Sequence, residues 1–146
     1  MATISILVAV YNAEKYLHKC LESLLSQTLH NIEIICVNDA STDSSLSILN
    51  AYAKKDERIK VVHLSQNVGI AKARNAGLRI STGQYIAFVD SDDWLSKDAC
   101  EKAFDVFTHY PLTDTVLFQV KNVYGDKDVD FIMPSFTTLD GFTAFR

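Results

Sequence analysis

Three aspartates, Asp90, Asp92 and Asp93, stand within four residues directly after the apolar run of residues 85–89. Carboxylates this close repel one another, and a turn or a helix cap needs only one of them. An Asp-x-Asp pair at a strand end can hold Mg²⁺ or Mn²⁺ through its oxygens, and the metal can then bridge two phosphate oxygens. The spacing therefore favours a site for a metal-bound nucleoside diphosphate, with Asp92 as the direct metal ligand. Asp90 would bind the metal or a ribose hydroxyl.

Two other charged residues fit the same chemistry. Asp39 follows another apolar run and could accept a hydrogen bond from a base N–H, while Arg74 could contact diphosphate oxygens with its forked guanidinium. Each has a structural alternative, because a single Asp after a strand is most often a turn or cap residue and a lone arginine is usually solvated. Asp93 is open to the same cap role. Tyr11 and Trp94 are more typical of packing residues than of platforms for a base or sugar.

Alternating strands and helices are predicted to position these side chains. Strands are predicted at residues 4–10, 32–37, 59–64, 85–89 and 115–120. Four helices are predicted from apolar residues at helical spacing, namely Tyr16, Leu17, Cys20, Leu21, Leu24 and Leu25; Leu46, Leu49, Tyr52 and Ala53; Ile70, Ala73, Gly77 and Ile80; and Cys100, Ala103, Phe104 and Phe107. Crossovers of this length indicate parallel βαβ units in an α/β fold whose sheet is covered on both faces. The carboxyl ends of the strands, where the polar residues stand, should meet at one edge.

The pattern weakens after Lys121. Residues 122–130 are polar and are expected to turn at Gly125, and residues 131–133 resemble a short strand. Residues 139–146 resemble the opening of a helix that stops without a completing turn. We therefore expect residues 1–146 to form one domain that is a fragment of a longer protein.

The composition and the remaining motifs exclude several functions. The 146 residues include 14 basic and 18 acidic side chains, for a net charge of -4, so a nucleic-acid partner bound through bulk positive charge is not expected. Residues 10–14 follow the first strand without a glycine, which excludes dinucleotide and P-loop motifs there. A receiver-like domain is disfavoured too, because it expects an acidic pair at this position.

Targeting signals and metal-ligand spacings are also missing from the sequence. No apolar stretch approaches the roughly 18 residues that a spanning helix needs, and the N-terminus lacks the features of a signal peptide. Cys20, Cys36 and Cys100 lie far apart and are expected to be reduced thiols in a cytoplasmic protein. The four histidines have no metal-ligand spacing, so no chemistry is assigned to them: His18, His30, His63 and His109.

Four segments, in order, closely resemble glycosyltransferase family 2, the inverting enzymes of the GT-A fold. They are residues 4–12, residues 37–43 (VNDASTD), Asn67-Val68-Gly69 through Ala73-Arg74-Asn75-Ala76-Gly77, and residues 88–94 (FVDSDDW). The resemblance covers residues 3–95 strongly and the remainder loosely. It implies the donor-binding portion of a GT-A enzyme, with a mostly parallel central sheet, helices on both faces and truncation on the C-terminal side.

The resemblance also implies which residues bind a nucleotide-sugar. It places Ala9, Tyr11 and Asn12 against the base, Asp39 on uracil, Arg74 near base and phosphate, and Asp90 with Asp92 at the ribose and the Mn²⁺ or Mg²⁺ of a UDP-sugar. The chain departs from the family where Ala9 replaces a common proline and Ala40 a common glycine. These changes alter backbone freedom but remove no ligand group.

The mechanism that the resemblance implies is a single displacement, in which an acceptor hydroxyl attacks the anomeric carbon opposite the UDP leaving group. The carboxylate base is expected beyond Arg146, because no family motif places it on Asp114, Asp126, Asp128, Asp130 or Asp140. The implied partners are a UDP-sugar donor and a carbohydrate or lipid-linked acceptor in surface polysaccharide synthesis. Membrane association of the full-length enzyme at the inner face of the plasma membrane and a homodimer through the truncated sheet are further expectations. The alternative is a non-catalytic nucleotide-binding or interaction module that lacks the base.

Overall fold

The computed structural model describes residues 1–117, 121–124 and 127–130, and its centre is a parallel sheet. The elements are β1 (Ile4–Val10), α1 (Glu14–Leu25), β2 (Ile32–Asn38), α2 (Ser45–Ala53), β3 (Ile59–His63), α3 (Ile70–Leu78), β4 (Tyr85–Asp90), α4 (Ala99–His109), β5 (Lys121–Tyr124) and β6 (Lys127–Asp130). The first four strands lie in the order β3-β2-β1-β4, and every neighbouring pair is parallel. The predicted α/β class is confirmed.

Helices cover both faces of this sheet, as predicted. Side chains alternate along a strand, so β1 sends Ile6 and Val8 to one face and Leu7 to the other. On the first face, β1 packs with buried residues of α1, α2 and α4, which include Leu17, Cys20, Leu21, Leu24, Leu49 and Cys100. On the second face, Leu7 packs with Ala73 of α3. Near-continuous burial of β1 and β2 explains why both read as apolar runs in the sequence.

Helix α3 packs unusually close to the sheet. A Cβ on Gly77 would stand 2.2 Å from Leu7 Cδ2 and 3.2 Å from Val37 Cγ2, so only glycine fits without movement. The prediction that Ile70 and Ile80 share this packed face is wrong, since they are 54% and 41% exposed. Ile70 is the first residue of α3 and Ile80 lies beyond its end at Leu78, so the helix contacts the sheet through its small residues.

Three other expectations differ from the structure. Tyr16, predicted on the packed face of α1, is 47% exposed because the buried stripe runs through Leu17, one residue further round the helix. Residues 115–117 of the predicted fifth strand have no strand structure, and residues 118–120 lie outside the described part. No strands were predicted between residues 121 and 130, where β5 and β6 pair antiparallel. Gly125, residues 131–133 and residues 139–146 also lie outside the described residues.

Candidate functional site

A pocket of about 480 Å³ opens at the carboxyl ends of β1, β2 and β4. It is lined by Ala9, Val10, Tyr11, Asp39, Asn67, Gly69, Ile70, Ala73, Asp90, Ser91 and Asp92. Parallel strands direct their carboxyl ends to one edge, which is why side chains far apart in sequence meet here. Five of the seven residues singled out from the sequence line this pocket, namely Ala9, Tyr11, Asp39, Asp90 and Asp92.

Asp39 organises the loop that forms one wall of the pocket. It is 3% exposed, and its two oxygens accept the backbone N–H of Val68 at 2.8 Å and of Gly69 at 2.9 Å. Gly69 has a φ of 86°, a conformation that side chains with a Cβ rarely adopt, and it directly precedes α3. The structural role considered for Asp39 is therefore present. Each carboxylate oxygen has a second acceptor direction, so a contact with a base remains chemically open and stays a prediction.

Arg74 is not among the residues that line the pocket, but it is paired with Asp90, which is. The distance from Arg74 Nη2 to Asp90 Oδ1 is 2.6 Å, and the two side chains are 35% and 49% exposed. The guanidinium carbon also lies 5.4 Å from the centre of the Phe88 ring. This ion pair occupies one of the five guanidinium donor hydrogens, so others remain available to a ligand.

Asp92 and Asp93 differ in environment although they are neighbours. Asp92 is exposed, lines the pocket and has no hydrogen bond or ion pair to any residue that the structure describes. Asp93 donates its backbone N–H to the carbonyl of Asp90 at 3.0 Å, closing a turn. Burial, followed by the charges of Asp92 and Asp90, raises the pKa of the Asp93 carboxyl. Within the described residues, His, Cys, Asp and Glu side chains form no group of three or more arranged to hold a metal.

Helix α1 lies against residues 90–93, which we call the aspartate loop. Cys20 Sγ lies 3.7 Å from the Asp90 carbonyl oxygen. Burial, and then the charges of Asp93, Asp92 and Asp90, raise the pKa of the Cys20 thiol to about 12, so it is a neutral packing residue. Two residues past the end of α1, the buried Gln27 amide donates to the Ser96 carbonyl at 2.8 Å. These contacts anchor the segments on both sides of Asp92 to α1 and to the residues that follow it.

Asn12 is brought to the edge of the site but uses its side chain elsewhere. Its Oδ1 accepts the backbone N–H of Thr42 at 2.8 Å, and its own N–H donates to Ser41 Oγ at 3.0 Å. Next to it, Glu14 and Asp43 each accept a backbone N–H across the same junction. Asn12 therefore joins the starts of α1 and α2, and a direct contact with a base stays a prediction.

Six lining residues were not singled out individually from the sequence, namely Val10, Asn67, Gly69, Ile70, Ala73 and Ser91. Sequence position alone could have indicated some of them. The Asn-Val-Gly run lies at the end of the loop after β3 and directly before α3, so it reaches the same edge of the sheet as the strand ends. No helix in the described part of the chain is long and apolar enough to span a membrane.

Comparisons with known proteins agree with this arrangement. The sequence model of glycosyl transferase family 2 matches residues 5–138. A poly(ribitol-phosphate) beta-glucosyltransferase of Bacillus spizizenii is 43% identical over 84% of this chain and 20% of its own length. The UDP-Glc:alpha-D-GlcNAc-diphosphoundecaprenol beta-1,3-glucosyltransferase WfaP of Escherichia coli is 40% identical over 88% of this chain and 49% of its own length.

A solved structure shows the same fold. The crystal structure of S. aureus TarS 1-349 in complex with UDP-GlcNAc superposes with a TM-score of 0.71 at 35% identity, covering 76% of this chain and 32% of that one. The chain thus spans half or less of the length of each of these three proteins. With the family match extending over most of its residues, the chain belongs to glycosyl transferase family 2.

Proposed function

We propose that this chain is the donor-binding domain of a longer glycosyltransferase that takes the sugar from a UDP-sugar with the help of Mn²⁺ or Mg²⁺. The acceptor is the hydroxyl of a carbohydrate or lipid-linked sugar in surface polysaccharide synthesis, and the transfer inverts the anomeric carbon. The relatives support the class of reaction, since their names describe glucosyltransferases acting on ribitol phosphate polymer and on a diphosphoundecaprenol-linked sugar. TarS, which has the same fold, was crystallised with UDP-GlcNAc.

The observation that carries the proposal is the arrangement of charge in the pocket. Asp92 lines the pocket and has no partner among the described residues, while Arg74 neutralises Asp90 and keeps other guanidinium donors available. A diphosphate can enter only if its negative charge is balanced, because Asp39, Asp90 and Asp92 all line the same pocket. Arg74 supplies one balancing charge, and a divalent cation on Asp92 would supply the rest.

The residues present fit such a cation. Mg²⁺ is commonly held by only one or two carboxylates together with substrate phosphates and waters, so a complete cage of protein ligands is not required. Asp92 is a suitable carboxylate, since it has no competing partner among the described residues. When bound, the cation would neutralise charge that develops on the departing diphosphate.

The other residues would orient the donor and its leaving group. Ala9 and Tyr11 would lie against the base, and Asp39, held by two backbone N–H groups, would offer its remaining acceptor directions to uracil. The acceptor hydroxyl must lose its proton to a base during attack. We assign that base to no residue of this chain.

Titration calorimetry with UDP tests the proposal. We expect UDP to bind with Mn²⁺ present and to lose that binding when EDTA removes the metal. Asp92→Asn keeps the side-chain shape but removes its charge, and should weaken metal-dependent binding by at least about tenfold, the loss of one charge-assisted contact. Asp105→Asn is the matched control, since Asp105 is exposed on α4 outside the pocket.

Two outcomes would contradict the proposal. Equal UDP affinity with and without metal would contradict a metal bridge between Asp92 and the diphosphate. Equal losses of affinity in the Asp92 and Asp105 variants would show a general effect of charge. Incubation of the chain with a panel of UDP-sugars and acceptors separates a catalytic domain from a non-catalytic nucleotide-binding module. Sustained transfer by the 146 residues would exclude the second.

A further inference from the structure

Phe88 is an exposed aromatic residue that belongs to neither buried cluster and does not line the pocket described above, although it borders a second cavity of about 430 Å³ along β4. It lies on β4 opposite Leu7 of β1, and it is 51% exposed where its partner is 1% exposed. An aromatic side chain left this exposed does not contribute the stabilisation that its burial would provide. The ring does have one charged neighbour, since Arg74 lies with its guanidinium carbon 5.4 Å from the ring centre.

The strand geometry explains why Arg74 meets two residues of β4 at once. Phe88 and Asp90 are two apart, so both side chains project from the same face of the sheet. Arg74 comes from α3, which lies on that face and is brought close by the small residue Gly77. The guanidinium therefore contacts the Phe88 ring and, at 2.6 Å, one oxygen of Asp90.

We propose that Phe88 is a positioning residue, whose ring holds the Arg74 guanidinium beside the pocket residue Asp90 in the pose that receives the donor diphosphate. An arginine on a helix surface is otherwise free to rotate into solvent, and ordering it on binding costs affinity. A ring face attracts a guanidinium and limits its rotamers before the ligand arrives. Asp90 contacts one nitrogen of the guanidinium, whereas Phe88 adds an aromatic neighbour whose ring centre lies 5.4 Å from the guanidinium carbon.

This inference rests on the proposed function only for its effect on ligand affinity. The contact between ring and guanidinium is testable without any nucleotide. The experiment therefore has two readouts, one on the free protein and one on UDP binding.

The first readout is the Nε–H resonance of Arg74 in the free protein, assigned by its disappearance in Arg74→Lys. A nearby aromatic ring shifts this resonance through its ring current. We expect Phe88→Leu to move it toward the position of a solvated arginine and Phe88→Tyr to leave it in place. Ile86→Val is the matched control, because Ile86 lies on the same strand and face and is 39% exposed. An unchanged resonance in Phe88→Leu would overturn the proposal.

The second readout is the affinity for UDP in the presence of Mn²⁺. Phe88→Leu should weaken it by about threefold to tenfold, the range expected for one half-exposed cation–π contact. Phe88→Tyr should restore it, and Ile86→Val should not change it. In an Arg74→Gln background the Phe88→Leu change should have no further effect, since the ring acts through the guanidinium. A loss that persists undiminished in that background would overturn the positioning role.

The two proposals fail in different ways. If the unaltered chain does not bind UDP with Mn²⁺, the proposed function fails, and the Arg74 resonance still decides whether Phe88 holds the guanidinium. If the unaltered chain binds UDP and Phe88→Leu binds it equally well, the positioning role fails and the proposed function stands.

Discussion

Ala40 shows how a single residue adjusts the backbone next to the site. Its φ is 55°, in the left-handed region where an L residue with a Cβ is strained by about 1–2 kcal/mol. Ala40 directly follows the buried Asp39. The turn that begins here carries Ser41 and Thr42 to their contacts with Asn12.

Replacement of Ala40 by glycine should therefore not destabilise the protein. Relief of the left-handed strain offsets the extra freedom that glycine has in the unfolded chain, and we expect a free energy of unfolding between unchanged and about 1 kcal/mol higher. Ala51→Gly is the control, because Ala51 is exposed within α2 and should lose about 1 kcal/mol. Urea denaturation measures both. An equal loss of unfolding free energy in Ala40→Gly and Ala51→Gly would contradict the proposed strain at Ala40.

At the residue scale, the sequence predicted proximity better than it predicted contacts. Carboxylates that follow parallel strands must meet at one edge, so Asp39, Asp90 and Asp92 were expected together, and they line one pocket. The partners of Asp39 and Asn12 depend on how the loops before α3 and α2 fold back. Such hydrogen bonds join residues about 30 positions apart and leave no pattern in the local sequence.

Glu33 joins several elements at the opposite end of the sheet from the pocket. It is 5% exposed on β2, and its carboxylate accepts hydrogen bonds from Ser5 of β1, Lys60 of β3 and the backbone of Thr82 and Gly83 before β4. Burial alone would raise its pKa, but these hydrogen bonds outweigh burial and lower the pKa from 4.5 to about 2. The network thus favours the ionised carboxylate only in the folded state.

The free energy of unfolding should therefore depend on pH within a defined acidic range. Because the folded pKa lies below the unfolded one, the contribution of Glu33 is complete above pH about 4.5 and is lost as the pH falls from there toward 2. The full loss is about 3 kcal/mol. Urea denaturation at a series of pH values should show a flatter acid limb in Glu33→Gln than in the exposed control Glu57→Gln. Identical acid limbs would contradict the network.

At the element scale, periodicity predicted the four helices and the first four strands. Buried parallel strands are apolar along their whole length, and α1 presents its apolar residues at helical spacing, so both are visible in the sequence. The packed face of α3 was misjudged because the helix contacts the sheet through the small residues Ala73, Ala76 and Gly77, and small residues are a weak hydropathy signal. The β5–β6 pair was missed because its eight residues are largely polar.

At the scale of the whole molecule, the accessibility of the three cysteine thiols measures how well the core excludes solvent. Cys20, Cys36 and Cys100 are buried and free, and burial is the first cause of the raised pKa of each. For Cys100 it raises the pKa to about 11. Since the thiolate is the reactive form, native thiols should be protected both by burial and by protonation.

We expect a thiol reagent at neutral pH to label the native protein only as fast as the fold opens, and to label all three thiols at once in denaturant. Absorbance on release of the coloured thiolate measures the rate and the number of groups. Rapid labelling of a full equivalent in the native protein would show that the core does not enclose these thiols as the structure indicates.

The central claim for the molecule is that its pocket holds a UDP-sugar through a cation on Asp92. The most direct measurement is a crystal structure with UDP and Mn²⁺, using anomalous scattering to locate the metal. The account predicts a manganese peak between the Asp92 carboxylate and the diphosphate, with the uracil beside Asp39 and the Arg74 guanidinium on a phosphate oxygen. A UDP molecule bound in the pocket with no manganese peak beside Asp92, or a manganese peak elsewhere, would contradict it.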